Sequence, residues 1–282
     1  MGFVFGPPLL FVSLRMIFSG IILLVIYRIN YKQMPSIKKP DWGLIMQGSI
    51  FGVFLTYAPE FWALQYLSAA KIAFLFVLAP FFSFIFEFFQ NKKSVTFKKF
   101  LGMLIAFCGV IPILLPSEVY QHTVEAPISF FFLELIVVFS VACYAFGWFS
   151  VKKLIQEKEY SSLIVNGFNK IIGGFLCLIV SLFYECLNAP SPVLINWAPY
   201  CFYILLISMV GIFCFSLYTM LLKHYSATFV SSSGFIEPFF AAFYGWIFLS
   251  ESVSWVFFCS TLIVGVGLYI FYLEELRINP QR

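Results

Sequence analysis

Charge is what this sequence has least of. Only 11% of its 282 residues are Asp, Glu, Lys or Arg, where a soluble domain carries about 25%. Hydrophobic residues make up 62% and the mean hydropathy is +0.96. No water-soluble surface can be built from that inventory, so a soluble globular protein is excluded. Histidine is nearly absent: His122 lies in a polar loop and His224 at a helix end, which leaves no buried imidazole for a proton relay. The seven cysteines fall in or beside apolar runs without metal-ligand spacing, so small apolar packing is their expected role and no metal or cofactor is implied. A Gly-x-x-x-x-Gly-Lys loop is missing, which argues against ATP drive within this chain. No basic segment or cleavage site precedes the first apolar run, so no cleavable signal peptide is expected. The net charge of +4 is spread over short loops rather than one face, so no nucleic-acid partner is implied.

What is abundant is apolar sequence in runs of about twenty residues, the length that crosses a ~30 Å hydrocarbon core. Nine spans are predicted: Pro7–Tyr27, Asp41–Tyr66 with Asp41 as N-cap, Ala69–Phe89, Phe97–Leu115, Ile128–Ser150, Ser161–Tyr184, Trp197–Leu222, Ala227–Leu249 and Val253–Leu273. The cations sort by side. Of the 17 Lys and Arg residues, all but Arg15, Lys71 and Lys170 fall at alternate ends of these spans, and the loops around 117–126 and 188–196 hold none. Cytoplasmic loops collect Lys and Arg. The C-terminus is therefore expected in the cytoplasm and Met1 outside, in a multi-pass protein of the cell (inner) membrane.

The chain also carries one stretch twice. A shift of 158 residues lays 67–113 under 225–271 without a gap, matching Ser68, Ala69, Pro80, Phe81, Phe82, Ser94, Val95, Phe100, Leu104, Ile105 and Gly109. The hinge of the first copy holds Lys92 and Lys93; the second has Ser250 and Glu251 instead. One hinge reads as cytoplasmic and the other as external, so the two copies lie inverted. Three spans precede the second hairpin but only two precede the first. The fold class expected is thus an all-α polytopic membrane protein, an inverted repeat of two helical bundles with nine visible transmembrane helices of ten. Residues 1–116 form a four-helix first repeat, 128–273 a five-helix second repeat, and 274–282 a cytoplasmic tail. A groove where a tenth helix would lie is expected to expose Ser13, Ser19 and Gly20 to lipid.

In these features the sequence resembles the drug/metabolite transporter superfamily, and its EamA-like members in particular. The residues that carry the resemblance are Ala63, Ser68-Ala69, Pro80 and Gly109 in the first half, and Ser226-Ala227, Pro238, Glu251 and Gly267 in the second. Pro8 followed by Arg15 resembles the family's second helix. Two features depart from the pattern: the absent first helix, and Lys93 where the family usually has Glu. The resemblance implies ten helices in two inverted five-helix repeats and a small-metabolite cargo: amino acids, their derivatives, nucleotide-like compounds, drugs or, in some members, S-adenosylmethionine.

A polar group inside a membrane span is costly, ~2.5–3.5 kcal/mol for a centred charge, so each calls for a reason. Glu237 lies ~16 Å into its span at about 1.5 Å per residue, near the midplane. Pro238 beside it frees the Gly234 carbonyl next to Ser231 and Ser233. A broken helix with free backbone and a carboxylate is how inverted-repeat carriers build midplane sites. The plain alternative is a neutral Glu bonded to a neighbouring helix. Lys170 sits mid-span, with Asn166 and Asn169 read onto the same face, and Arg15 lies inside the first span. Both cations suit either substrate contact or an internal ion pair. Glu60, with Tyr57 and Trp62, lies below the outer surface and reads either as a site residue or as water-exposed. Tyr144, Trp148, Tyr218 and Tyr244 are aromatic cavity candidates, with simple packing as the alternative.

These residues point to a secondary transporter that moves a small polar or zwitterionic metabolite by alternating access, its carboxylate held by Arg15 and Lys170. Glu237 and Glu60 would take the cationic end, and Glu237 also allows a coupling proton or ion. The rival readings are an intramembrane enzyme acting on a lipid and a non-transporting membrane subunit. Catalytic residues are not identifiable: the enzyme reading lacks a nucleophile with a base, or metal ligands, at the midplane.

Overall fold

A computed structural model of the chain describes residues 7–33, 36–67, 69–90, 96–114, 130–188, 196–236, 240 and 255–278. Among the described residues the structure is helical with no strand. The helices are α1 (Pro8–Tyr31), α2 (Trp42–Ser49), α3 (Leu55–Ala63), α4 (Ala69–Phe76), α5 (Ala79–Gln90), α6 (Phe97–Leu114), α7 (Phe130–Gln156), α8 (Ser162–Asn188), α9 (Trp197–His224), α10 (Ala227–Ser232) and α11 (Trp255–Ile278). Five stretches are long and apolar enough to cross a bilayer: Pro8–Tyr31, Phe131–Gln156, Ser162–Tyr184, Trp197–His224 and Phe258–Arg277. Large side chains such as Phe18, Ile21, Phe213 and Leu262 are exposed along them, where lipid is their natural neighbour. The chain is a polytopic membrane protein.

Two compact units form, and neither follows the sequence halves. One comprises Met1–Trp62 and Phe146–Lys223; the other comprises Ala63–Ala145 and His224–Arg282, so the division falls within α7, after Ala145.

In the first unit, α1 packs against α8 through small residues. A Cβ on Gly20 would lie 2.7 Å from Ile171, and one on Gly174 would lie 2.9 Å from Ile17. As the α1 position falls, the α8 position rises, so the two helices run antiparallel. Ser13, Ser19 and Gly20 are buried in α1 rather than exposed to lipid, which corrects the expected groove. Their small size serves close helix approach, the usual use of such residues in membranes. Each serine hydroxyl donates to a carbonyl three residues back, Leu10 and Met16 respectively, so neither brings an unsatisfied donor into the contact.

In the second unit, α6 and α11 make the equivalent contact. Gly109 faces Val264, while Gly267 faces Ala106. The 158-residue shift exchanges these two contacts, since it carries Ala106 onto Val264 and Gly109 onto Gly267. The same shift relates two helix breaks. Two turn residues, Val77 and Leu78, separate α4 from α5 just before Pro80, and Ser233–Ile236 winds as a 3-10 turn just before Pro238.

Two local features differ from the sequence reading. Asp41 stands at the N-cap position of α2 as expected, but makes no side-chain cap bond. The 3-10 turn Lys39–Asp41 places it in helical conformation, and its carboxylate instead accepts from the Tyr160 hydroxyl at 2.9 Å and faces Lys158 at 3.6 Å. The second span is also no single α-helix, because a π-helical segment, Ile50–Phe54, separates α2 from α3.

Candidate substrate site

The π segment and Pro59 together aim the side chains that follow. Pro59, inside α3, cannot donate to the carbonyl four residues back. The wider π turn upstream absorbs an extra residue, and Thr56 Oγ1 donates to the Phe51 carbonyl at 2.7 Å. Gly52 in this segment lies against Gly147 on α7, backbone to backbone. π segments recur at functional sites because they rotate the residues beyond them. Here Tyr57 and Phe61, one turn apart, both face Arg15.

Arg15 is half-buried in the first unit. Its guanidinium carbon lies 5.5 Å from the Tyr57 ring centre and 5.1 Å from that of Phe61, within cation–π range. Its Nε has no hydrogen-bond partner among the described residues. Glu60 and Tyr57 are close enough to act on it electrostatically, yet no ion pair joins Arg15 to a carboxylate among the described residues.

Lys170, on α8, is 2% exposed. Its Nζ stands 3.9 Å from the centre of the Phe215 ring on α9. Arg15 is within electrostatic reach of it, and no carboxylate pairs with it among the described residues. Aromatic rings continue from there. Phe215 lies 6.4 Å from Tyr57 and 5.5 Å from Trp148, and Trp148 stacks 4.1 Å from Tyr218. The first unit therefore holds two inward cations, Arg15 half-buried and Lys170 buried, neither neutralised by an ion pair among the described residues, along one wall of rings. Such a wall offers a carboxylate two positive ends and offers a planar group aromatic faces.

The other sequence candidates divide. Asn166 donates to Thr219 Oγ1 at 3.2 Å and to the Phe215 carbonyl at 3.4 Å, so it ties α8 to α9. Asn169 turns to α2 instead, accepting from Ser49 Oγ at 3.3 Å. The two asparagines thus meet different helices rather than sharing one face. Trp62 Nε1 donates to the Tyr184 hydroxyl at 2.9 Å. Ser231 and Ser233 belong to the second unit, where their hydroxyls donate to the Thr228 and Val230 carbonyls. Tyr144 packs on Phe76, also in the second unit. Glu237, Pro238, Tyr244 and Glu251 lie outside the described residues.

Sequence reasoning passed over Phe61, Phe215 and a polar cluster in the second unit. There Lys99 pairs with Glu275 at 2.5 Å, both 2% exposed. Glu275 also accepts from the Ser226 backbone N–H at 3.0 Å. Glu87 accepts from the Ala227 backbone N–H at 2.8 Å and the Thr228 hydroxyl at 2.6 Å. Both carboxylates thus cap the N-terminus of α10, where backbone donors have no partner within the helix. Lys99 and Glu87 stand next to span ends in the sequence, so each reads there as a surface charge.

The sequence profile of the EamA-like transporter family matches residues 3–115 and 131–273. The chain belongs to the EamA-like transporter family. Membership makes it a membrane transporter with a small-molecule substrate. Among similar proteins, the S-adenosylmethionine/S-adenosylhomocysteine transporter of Chlamydia muridarum (strain MoPn / Nigg) is 28% identical over 281 residues, covering 96% of this chain and 85% of the relative. The protein of the same name in Chlamydia trachomatis serovar L2 is 28% identical over 278 residues, covering 96% and 83%. The uncharacterized transporter YetK of Bacillus subtilis (strain 168) is 23% identical over 271 residues, covering 95% and 79%. A crystal structure with 16% identity shares the fold at a TM-score of 0.69, covering 95% of this chain and 89% of that one.

Proposed function

We propose that this EamA-like transporter is a secondary carrier of a zwitterionic amino-acid derivative, of the S-adenosylmethionine or S-adenosylhomocysteine type. Its site includes the cations and rings of the first unit. The observation that carries this is the pair Arg15 and Lys170, the first half-buried with its Nε enclosed and the second buried, both set among aromatic rings without an ion-pair partner among the described residues. Leaving cations in that state is unfavourable for folding alone, so a ligand anion accounts for it better than packing does. The rings from Tyr57 to Tyr218 suit a planar base, and the Chlamydia relatives are named for solutes that carry both a carboxylate and a base.

The carrier reading includes an inverted repeat, 1–116 and 128–273, within a nine-span cell (inner) membrane topology with a cytoplasmic C-terminus. Antiparallel packing of α6 on α11, with contacts exchanged by the 158-residue shift, supports it, and inverted repeats permit alternating access. Glu237 retains its place as the proposed midplane carboxylate for the cationic end or for a coupling proton.

Uptake by proteoliposomes tests the reading. Radiolabelled S-adenosylmethionine should accumulate unmodified, and S-adenosylhomocysteine should compete. Conversion of lipid or solute without accumulation would instead identify an enzyme.

A further inference from the structure

Helical glycines in the first unit mostly have a packing reason. A Cβ on Gly20, Gly147, Gly167, Gly173 or Gly174 would come under 3.0 Å from atoms of a neighbouring helix. Gly211 is different. Among the described residues, a Cβ there would meet one atom alone within 4 Å, Nζ of Lys170, at 3.8 Å.

Its position makes the gap informative. The inward stripe of α9 runs through Tyr200, Ile204, Ser208, Thr219 and Leu222, all buried, and Phe215 continues it onto Lys170. Gly211 falls on this stripe at helical spacing, three residues after Ser208 and four before Phe215. Ser208 Oγ donates to the Arg15 carbonyl at 3.3 Å, so Gly211 lies one turn from the level of Arg15. Val210 and Phe213, on the outer side, are 56% and 70% exposed. A glycine inside a helix costs about 1 kcal/mol relative to alanine. Among the described residues no neighbouring helix requires that cost at Gly211, and what borders the gap is a buried ammonium with no carboxylate paired to it.

We propose that Gly211 keeps open a subsite for a solute carboxylate over Lys170, and thereby makes a free carboxylate a requirement for binding. The inference rests on the first unit being a substrate site. A carboxylate oxygen bonded to an ammonium stands about 2.8 Å from its nitrogen. A methyl at position 211 would border that space, and a valine would fill it. The methyl meets only an ordinary contact among the described residues, so exclusion is expected to act on the ligand and not on the fold.

The test uses the full chain in lipid nanodiscs, reading affinity from ligand-induced thermal stabilisation. The probes are S-adenosylmethionine, S-adenosylhomocysteine and L-amino acids, each against its carboxamide. In the wild type, at least one acid should bind ten-fold or more tightly than its amide. Gly211→Val should remove that preference by weakening the acid alone, while its unliganded Tm stays near the wild-type value. Gly211→Ala should weaken the acid by a smaller factor. The proposal is overturned if no acid is preferred to its amide, if Gly211→Val keeps the preference, or if acid and amide weaken together. Uptake measured in parallel separates the two readings. Carboxylate preference lost in Gly211→Val without accumulation in vesicles upholds the subsite and sinks the carrier. Accumulation without acid preference does the reverse.

Discussion

Lys170 is where a binding role and a structural role predict opposite outcomes. Breaking a buried ion pair by removing one member costs about 3–5 kcal/mol. Removing a buried charge that has no such partner relieves a desolvation penalty instead. Lys170→Met should therefore leave Tm unchanged or raise it, while uptake falls about 10- to 100-fold. That loss corresponds to a charge-assisted hydrogen bond of about 1.5–3 kcal/mol. A Tm drop together with the transport loss would make Lys170 part of the scaffold. Asn166→Ala should do what Lys170→Met does not. It removes the bonds to Thr219 and the Phe215 carbonyl, and should lower stability by about 1–3 kcal/mol. Residues of this kind were legible in the sequence to different degrees. Arg15 and Lys170 stand out because a charge in an apolar run is rare and costly. Gly211 does not, since one glycine among 17 carries no mark of what its missing side chain faces. Phe215 is equally hidden among 39 phenylalanines. The face that Asn169 presents depends on how α8 meets α2, which spacing along one helix does not encode.

Between residue and molecule, the elements show what hydropathy reads and what it misses. Apolar length located the cores of α1, α7, α8, α9 and α11, because the bilayer fixes how much apolar helix is needed. Their ends lie beyond those cores: α8 reaches Asn188 and α11 reaches Ile278, since a helix does not stop where the hydrocarbon does. The π segment Ile50–Phe54 was invisible to hydropathy, which counts side chains and not backbone register. The start of α10 is the element whose energetics are most exposed to mutation. Glu87 and Glu275 satisfy its first backbone donors, and Lys99 balances Glu275. Lys99→Met should cost about 3–5 kcal/mol by stranding the Glu275 charge, and the double variant Lys99→Met/Glu275→Met should recover part of that loss. Denaturation of the purified variants in one detergent would measure both. Equal losses in the single and double variants would show that the cap on Ser226, not the ion pair, holds this end of α10.

At the scale of the whole molecule, the packing of α6 on α11 turns a sequence shift into a statement about sides of a membrane. Phe97 opens α6 and Trp255 opens α11, and the 158-residue shift carries one onto the other. The close contacts Gly109 on Val264 and Gly267 on Ala106, with Lys99 meeting Glu275, require the two helices to run in opposite directions. Two antiparallel helices that both cross the bilayer must open on opposite faces. Lys98 and Lys99 follow Phe97, whereas no Lys or Arg lies between Phe248 and Leu273. Under the proposed inverted topology, the positive-inside rule therefore predicts Phe97 in the cytoplasm and Trp255 outside. Both side chains are open to a reagent, at 76% and 84% exposure. With the seven native cysteines replaced, a membrane-impermeant maleimide applied to intact cells should label Trp255→Cys and spare Phe97→Cys. In inverted vesicles the pattern should reverse. Labelling of both from the same side would overturn the inverted repeat, and with it alternating access by exchange of the two halves. Swapped labelling would leave the repeat standing and reverse the orientation alone.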